Sequence, residues 1–521
     1  MIGRILAKLG RAQLAARAKG AWETLALGSS LRPWALGALA LTVLALGANV
    51  WLGALNQDEG WYLYAARRVM VGEVPHRDFF FTQGLVFPCF YALFGWLWSS
   101  FGVLGGRVFT AALSLAALFL ADGAVVSGCR REEERWQARL VLWALLGLNL
   151  WYSYFTVIPK AYALCTLGLA GVLRLLTARQ DSGALDPLCT LLGGVLCALL
   201  ADVRLSMGVL ILAVGAWLVL RRAWVGRCSA FWFAAGAALG LAAAFGPELI
   251  GWPRALLEAQ QFHAARASMG VLGRVGALAR WMRFNPVLVG LGLLIGWLRL
   301  TGRPALKAAS AERGLLGELW LVCAAALGAI HLCAPVPYDD YQVPTTLPLA
   351  MAVAAAFTRL PFESMRLALA KVAPLSALLL TCAASPIAQD WVALPQDRFW
   401  VRFKAEPDLV ALRRIGRELR ALAAARGTRQ LWTQETYLAV EAGLEVPRGL
   451  EMGPFSKPQP LDVRPPLAAW AGYTYALRFP DLAPAPDCAR RRAALSQAYP
   501  KILLTCPDFG QGHTQLTIAE R

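Results

Sequence analysis

Apolar segments recur along the first three-quarters of this chain at a spacing that leaves little room for anything but a bundle of membrane-crossing helices. Eleven can be drawn, at approximately 33–55, 104–128, 137–151, 160–177, 187–201, 205–220, 228–250, 286–299, 318–333, 343–358 and 372–390. The longer ones reach the roughly 20 residues that a helix needs to cross a hydrocarbon core. Composition agrees. Of 521 residues 58% are hydrophobic and only 16% charged, where a soluble domain carries about 25% charged residues. A further aromatic stretch, Leu85 to Phe101, is ambiguous.

Charge placement sets the topology. The net charge of +18 does not point to nucleic acid, because no basic-aromatic nucleic-acid module is visible. Basic residues instead gather at the N-terminus, Arg130–Arg139, Arg221–Arg227, Arg299–Arg313 and Arg359–Lys371. The positive-inside rule puts all of these in the cytoplasm. Alternation then holds if segment 85–101 does not fully cross; if it does, 187–201 and 205–220 merge. Residues 1–32, with six basic residues against Glu23, read as an amphipathic cytoplasmic segment on anionic membrane lipids. The stretches 56–84, 151–160, 202–204, 251–285 and 334–342 then share the outer face. This makes an all-α polytopic protein of about 11–13 transmembrane helices in the inner membrane, its membrane domain spanning 33–390.

Past Asp390 the apolar periodicity stops. Residues 391–521 read as a small periplasmic α/β domain, helical over 406–427 with short strands at 429–433 and 501–505. The 11 cysteines have no metal-type spacing. Most sit in apolar spans as small packing residues, while Cys488 and Cys506, in the polar tail, are a candidate disulfide.

The outer stretches hold the unusual side chains. Asp58 and Glu59 open the first outer loop, 56–84, directly after a span. One carboxylate there caps the helix that follows; the other is a candidate general base for an acceptor hydroxyl. His76, Arg77 and Asp78 follow: Arg77 offers a donor fork for a phosphate, and Asp78 could orient a sugar or, with Asp58, hold a divalent cation. Gln83 precedes the aromatic segment. Tyr154 and Lys160 flank one span junction. Asp202 and Arg204 stand where charge is costly unless it meets a partner or ligand. His263 and Arg266 lie in the long loop before Pro286, and Tyr338, Asp340 and Tyr341 lie between Pro337 and Pro344. Singly each reads as structural. Together they describe a cavity with both signs of charge and many aromatic faces, suited to a sugar and a phosphate. Nucleotide-binding and common hydrolase motifs are absent, so a lipid-phosphate sugar is the natural donor.

The run Asp58-Glu59-Gly60, Tyr62 to Met70, Gly72 to Phe81, Leu85 to Phe101-Gly102 and Arg107 resembles the GT-C superfamily of membrane glycosyltransferases, in its protein O-mannosyltransferase and aminoarabinose transferase branch. Tyr341-Gln342-Val343-Pro344 resembles a later outer-loop motif of that family, and Tyr437 to Gly443 is similar to a stretch of its bacterial members. The resemblance implies inverting transfer, on the periplasmic face, from a polyprenyl-phosphate sugar to a lipid, polysaccharide or protein acceptor. Asp58 would be the base or acceptor-orienting carboxylate and Glu59 its partner. Relatives often have Lys where this chain has Gln83, and Asp near 158–160, where this chain has Lys160. The main alternative is a flippase or transporter of lipid-linked saccharides, which would carry charges inside its spans and repeated halves; neither is apparent. An assembly protein whose C-terminal domain binds a periplasmic partner is a third.

Overall fold

The computed structural model describes residues 31–180, 183–264, 268–300, 311–360, 363–392, 406–431, 433, 435–449 and 451–452, with three strands beyond them. Nearly all of the N-terminal amphipathic segment, together with Arg266, Cys488 and His513, lies outside the described residues, as do the side chains of His263 and Cys506.

Each of the eleven apolar segments forms a helix. In chain order the principal helices are α1 (Arg32–Leu52), α2 (Gln57–Met70), α3 (Val86–Leu93), α4 (Gly102–Ser127), α5 (Glu132–Leu145), α6 (Leu150–Phe155), α7 (Ala161–Leu175), α8 (Pro187–Val203) and α9 (Val209–Leu220). They continue as α10 (Ser229–Gly251), α11 (Pro253–Ala264), α12 (Gly270–Phe284), α13 (Pro286–Leu300), α14 (Ala311–Leu332), α15 (Val343–Phe357) and α16 (Glu363–Val392), then α17 (Asp408–Ala425) and α18 (Thr436–Ala442).

Five helical stretches among the described residues are long and apolar enough to cross a bilayer alone: Arg32–Leu52, Gly95–Ser127, Ser229–Gly251, Leu315–Leu332 and Glu363–Ala384. The bent pair α12–α13, broken by 94°, makes a sixth. The expected 11–13 full-length spans are therefore not all present as such. The shortfall falls on short helices such as α5, α7 and α15, of 14, 15 and 15 residues, each only ~22 Å long. α15 is buried along almost its whole length and packs on α5, α7, α14 and α4, so protein rather than lipid surrounds it. The outer helices show the converse pattern, with Leu44, Leu212, Ile250 and Leu293 exposed on apolar faces. Segment 85–101 breaks into helices of 8, 4 and 3 residues, none able to cross unaided.

Close helix approach is set by small residues, as in membrane bundles generally. α8 and α10 meet so tightly that a Cβ on Gly194 would lie 2.1 Å from the Phe233 carbonyl oxygen, and one on Gly236 1.9 Å from that of Leu191. Loops assigned to the outer face converge on one side of the bundle. Gly84 N–H donates to the Asp202 carbonyl, Met269 N–H to Pro335, and Lys160 reaches both Asp58 and Asp340.

In the C-terminal part the helix expected at 406–427 is α17. Strand 501–505 is present as Lys501–Cys506, paired antiparallel to Leu516–Glu520 in a three-stranded sheet completed by Leu467–Ala471. Among the described residues of 429–433 there is no strand; Gln430 makes an isolated bridge to Glu445. Segment 406–449 docks directly on the first outer loop: the Leu55 N–H donates to Asp408 Oδ2 at 3.0 Å and the Val446 N–H to the Tyr64 hydroxyl at 3.0 Å.

The joint between α1, α2 and α4 is an ion pair excluded from solvent. Arg107 donates from Nε to Glu59 Oε2 and from Nη2 to Glu59 Oε1, both at 2.6 Å, and its other donors reach the carbonyls of Val50, Gly53 and Ala54. Removing one partner of such a pair strands a buried charge and costs about 3–5 kcal/mol. Arg107→Met is expected to lower the thermal midpoint of the purified protein sharply, and Glu59→Gln combined with Arg107→Met to recover part of the loss; thermal unfolding in detergent measures both. Gly60 is equally constrained, since a Cβ there would lie 2.3 Å from the Tyr437 nitrogen. Gly60→Ala should cost about 1–3 kcal/mol by overpacking, read in the same unfolding measurement.

Candidate active site

Asn56 and Glu59 form a capping box at the start of α2: the Asn56 side chain accepts from the backbone of the first turn and Glu59 Oε1 accepts from the Asn56 N–H at 2.8 Å. This fixes the first turn. Consecutive helical residues point about 100° apart, so the two carboxylates face different surroundings. Glu59 is fully buried on Arg107. Asp58, partly exposed, has its Oδ2 2.5 Å from Lys160 Nζ. Glu59, expected as the partner of Asp58, is fully engaged by Arg107 and the Asn56 N–H and so fixes the turn from which Asp58 projects.

Lys160, at the N-cap of α7, also lies 2.7 Å from Asp340 Oδ2, which accepts the Tyr162 hydroxyl at 3.0 Å. Burial works to lower the Lys160 ammonium, but Asp340 and Asp58 outweigh it and hold its pKa well above the ordinary value. The Tyr162 ring carries two cations, with Lys160 Nζ 4.9 Å and Arg204 Cζ 5.1 Å from its centroid. Arg204 also lies 4.3 Å over Tyr341. It has no carboxylate or hydrogen-bond partner among the described residues, and its Nε is buried. The Tyr62 hydroxyl, raised by burial and by Asp58 and lowered by Arg204 and Lys160, is within electrostatic reach of all three charges.

Arg204 opens onto a cavity of about 520 Å³. Gln83, Ser206, His331 and Tyr341 supply its polar lining, and Leu205, Val209, Leu212, Ile330 and Pro335 much of its apolar wall. His331 Nε2 is 2.9 Å from Ser206 Oγ. Behind Tyr341, Asp339 accepts from the Trp151 indole at 3.2 Å and lies 3.9 Å from Arg280 on α12. A polar chain therefore runs Asp58–Lys160–Asp340–Tyr162–Arg204–Tyr341 from the outer loop into a mainly apolar cavity.

Other expected site residues have different tasks. His76, at φ +67°, bridges Glu248 Oε1 at 2.7 Å and the Phe81 carbonyl at 3.0 Å with no side-chain exposure, tying the first loop to α10 beside Pro247. Arg77 and Asp78 pair with each other, and Asp78 also accepts the Val74 N–H at 2.8 Å. The Arg77 fork, then the Val74 N–H, draw the Asp78 carboxyl down to about 2. Tyr154 is buried and its hydroxyl donates to the Ala54 carbonyl at 3.0 Å. Tyr338 is exposed and packs edge-on to Tyr341. His76, Arg77, Asp78 and Tyr154 are thus structural ties, whereas Gln83, Lys160, Arg204, Asp340 and Tyr341 come together. Asp58 and Asp78 each face a cation of their own, Lys160 and Arg77, and no cluster of three acidic, His or Cys donors occurs among the described residues. Sequence reasoning missed Tyr162 and Ser206. The available signal for Tyr162 was a tyrosine two residues inside an aliphatic span, next to an already singled-out lysine.

A scan of protein-family models finds no match to this chain, and no curated protein matches it in sequence. Solved structures do. Two of ArnT from Cupriavidus metallidurans, one bound to undecaprenyl phosphate and one in the apo state, superpose with TM-scores of 0.57 and 0.59 at 12% and 13% identity. Each comparison covers 94% of this chain and 98% of the other. The chain is accordingly a multi-pass membrane protein with the fold of ArnT.

Proposed function

We infer that this protein is a membrane glycosyltransferase that moves a sugar from a polyprenyl-phosphate carrier to a lipid, glycan or protein acceptor at the outer face, with inversion. The observation that carries this reading is Arg204: a guanidinium with no counter-ion among the described residues, over the rings of Tyr162 and Tyr341, lining a mainly apolar cavity that the Lys160 relay joins to Asp58. A partly buried cation with no counter-ion among the described residues asks for an anion, and apolar walls ask for a lipid chain. That the same fold in ArnT is found bound to undecaprenyl phosphate supports a carrier of this class.

The chemistry follows from the charges. The carrier enters from the bilayer, and its phosphate sits against Arg204, with Gln83 and Tyr341 beside it. The acceptor approaches from the aqueous side, where Asp58 takes or orients the proton of its hydroxyl or amine. The nucleophile's electron pair forms the new bond at the anomeric carbon on the face opposite the phosphate. The bond from that carbon to the phosphate oxygen breaks, and its pair leaves on the lipid phosphate, whose charge Arg204 and Lys160 stabilise. Lys160 holds Asp58 and Asp340 in register throughout.

The test is transfer of labelled sugar from a defined polyprenyl-phosphate donor by the purified protein. Asp58→Asn is expected to lower kcat by at least ~100-fold, the range of a general acid–base group, with an unchanged thermal midpoint. Normal turnover by that folded variant would sink the assignment, as would movement of label across vesicles without new glycosidic product. Arg204→Gln should lower kcat/KM for the donor by roughly 10- to 100-fold, the worth of a charged hydrogen bond, with part of the loss in kcat. Asp340 and Asp58 hold the Lys160 ammonium well above the ordinary lysine range, so the rate should show no decline where an ordinary lysine titrates.

A further inference from the structure

We propose that a second cavity, at the opposite end of α2 from Asp58, holds the phosphate headgroup of a membrane lipid. It measures about 780 Å³ and lies between the last turn of α2, the turn before α4, and helices α17 and α18. Along α2 it is ~13 Å from Asp58, the nine-residue separation of Arg67 at 1.5 Å per residue.

Its basic wall is Arg67, Arg413, Arg417 and Arg420, facing a single carboxylate, Glu441. Three of the arginines follow one face of α17 at i, i+4 and i+7, while Leu409, Leu412, Ile415 and Leu419 bury the other. Two of the four arginines are partly occupied. Arg67 Nη1 donates to the carbonyls of Ala439 and Val440 at 3.1 and 3.2 Å, and Arg420 donates to those of Glu441 and Ala442 at 3.0 Å each. These contacts close the C-terminal end of α18 and leave Nε and Nη2 of Arg67 and Nη1 of Arg420 for another acceptor. Arg413 has only Glu441 Oε1 at 3.8 Å, and Arg417 has no ion pair or hydrogen bond among the described residues. Glu441 does little to offset them. Its Oε2 accepts the Val103 N–H at 3.0 Å, and burial raises its carboxyl above the usual range. It is built into the wall, because a Cβ on Gly102, at φ +60°, would lie 2.2 Å from Oε2.

The rest of the cavity explains why the anion is a lipid. Trp51, Met70, Val71 and Phe101 line it and are exposed. Trp51 belongs to the last turn of α1, a helix long and apolar enough to span a bilayer. A basic wall joined to an exposed aromatic rim at the end of a span is the arrangement that receives a phosphate at headgroup depth and its chains along the rim. Arginine forks match phosphate geometry.

The inference does not depend on the transfer reading, and its readout is binding rather than turnover. Detergent-purified full-length protein is titrated with dihexanoyl phosphatidic acid and, separately, with inorganic phosphate. Arg417→Gln and the double variant Arg413→Gln/Arg417→Gln remove exposed side chains with little in the fold to lose, and should weaken phosphatidic acid binding by ~10-fold or more, the worth of one or more charged hydrogen bonds. Arg204→Gln should leave that affinity unchanged. Undiminished binding by the double variant would overturn the site. An equal loss in Arg204→Gln would move the lipid to the first cavity and overturn it too. Inorganic phosphate binding as tightly as the lipid would overturn the assignment to a membrane lipid.

Discussion

Everything around Asp58 hangs on how Arg107 closes the end of α1. The last carbonyls of a helix have no partner within it, and here they end inside protein. Arg107 reaches across from α4 to take the carbonyls of Val50, Gly53 and Ala54, and Glu59 neutralises it with a two-oxygen fork. Five guanidinium donors are thereby consumed in a space without water. The chain leaving α1 has no freedom at this point, and Asp58 emerges from the turn at a fixed angle. A buried pair of this kind is weak evidence for net stability, because two charges lose their solvation. Its consequence here is geometric: one helix start delivers a sealed carboxylate and an available one.

The charges of the site then sort themselves by what already compensates them. Lys160 is shared between Asp58 and Asp340, and its ammonium is satisfied before any ligand arrives. Asp339 has Trp151 and Arg280. Arg204 is different, since the aromatic faces of Tyr162 and Tyr341 stabilise a cation without neutralising it. In the proposed transfer, phosphate attraction would concentrate at Arg204 and proton chemistry at Asp58, with Lys160, Asp340 and Tyr162 as the layer between them. That separation suits a reaction in which a nucleophile arrives from one side and a phosphate departs on the other.

Much of this was legible in the sequence, for reasons that also explain what was not. Hydropathy located all eleven apolar helices, because burying or lipid-facing an apolar helix needs only local composition. It overstated their reach, since the 15 residues of α15 are surrounded by neighbouring helices and need not match the thickness of a bilayer. Loop chemistry picked out Asp58, Lys160, Arg204, Asp340 and Tyr341, which do converge. It could not separate them from Glu59, His76 and Tyr154. The partners of those residues, Arg107, Glu248 and the Ala54 carbonyl, are 48, 172 and 100 positions away, and a polar residue looks the same in sequence whether it meets a ligand or a buried partner. Residues 429–433 have strand-like composition, but among the described residues they find one bridge partner, Glu445, and a strand needs a row of them.

The placement of segment 406–449 follows from the same glycine that closes the acidic motif. Gly60 has no side chain, so the backbone at Thr436 and Tyr437 can sit directly on the first turn of α2. Asp408 accepts from Leu55, Tyr64 accepts from Val446, and the end of α18 takes Arg67. The C-terminal segment thus covers α2 along its length, from the turn carrying Asp58 to the arginine wall of the second cavity. An outer-loop helix of 14 residues would be marginal alone in water. Held between the bundle beneath and the C-terminal segment above, it becomes a fixed strut, and the second cavity takes one wall from its last turn. The Asp-Glu-Gly run is therefore one structural unit: the glycine admits the covering segment, the glutamate locks the turn from below, and the aspartate is left facing the site.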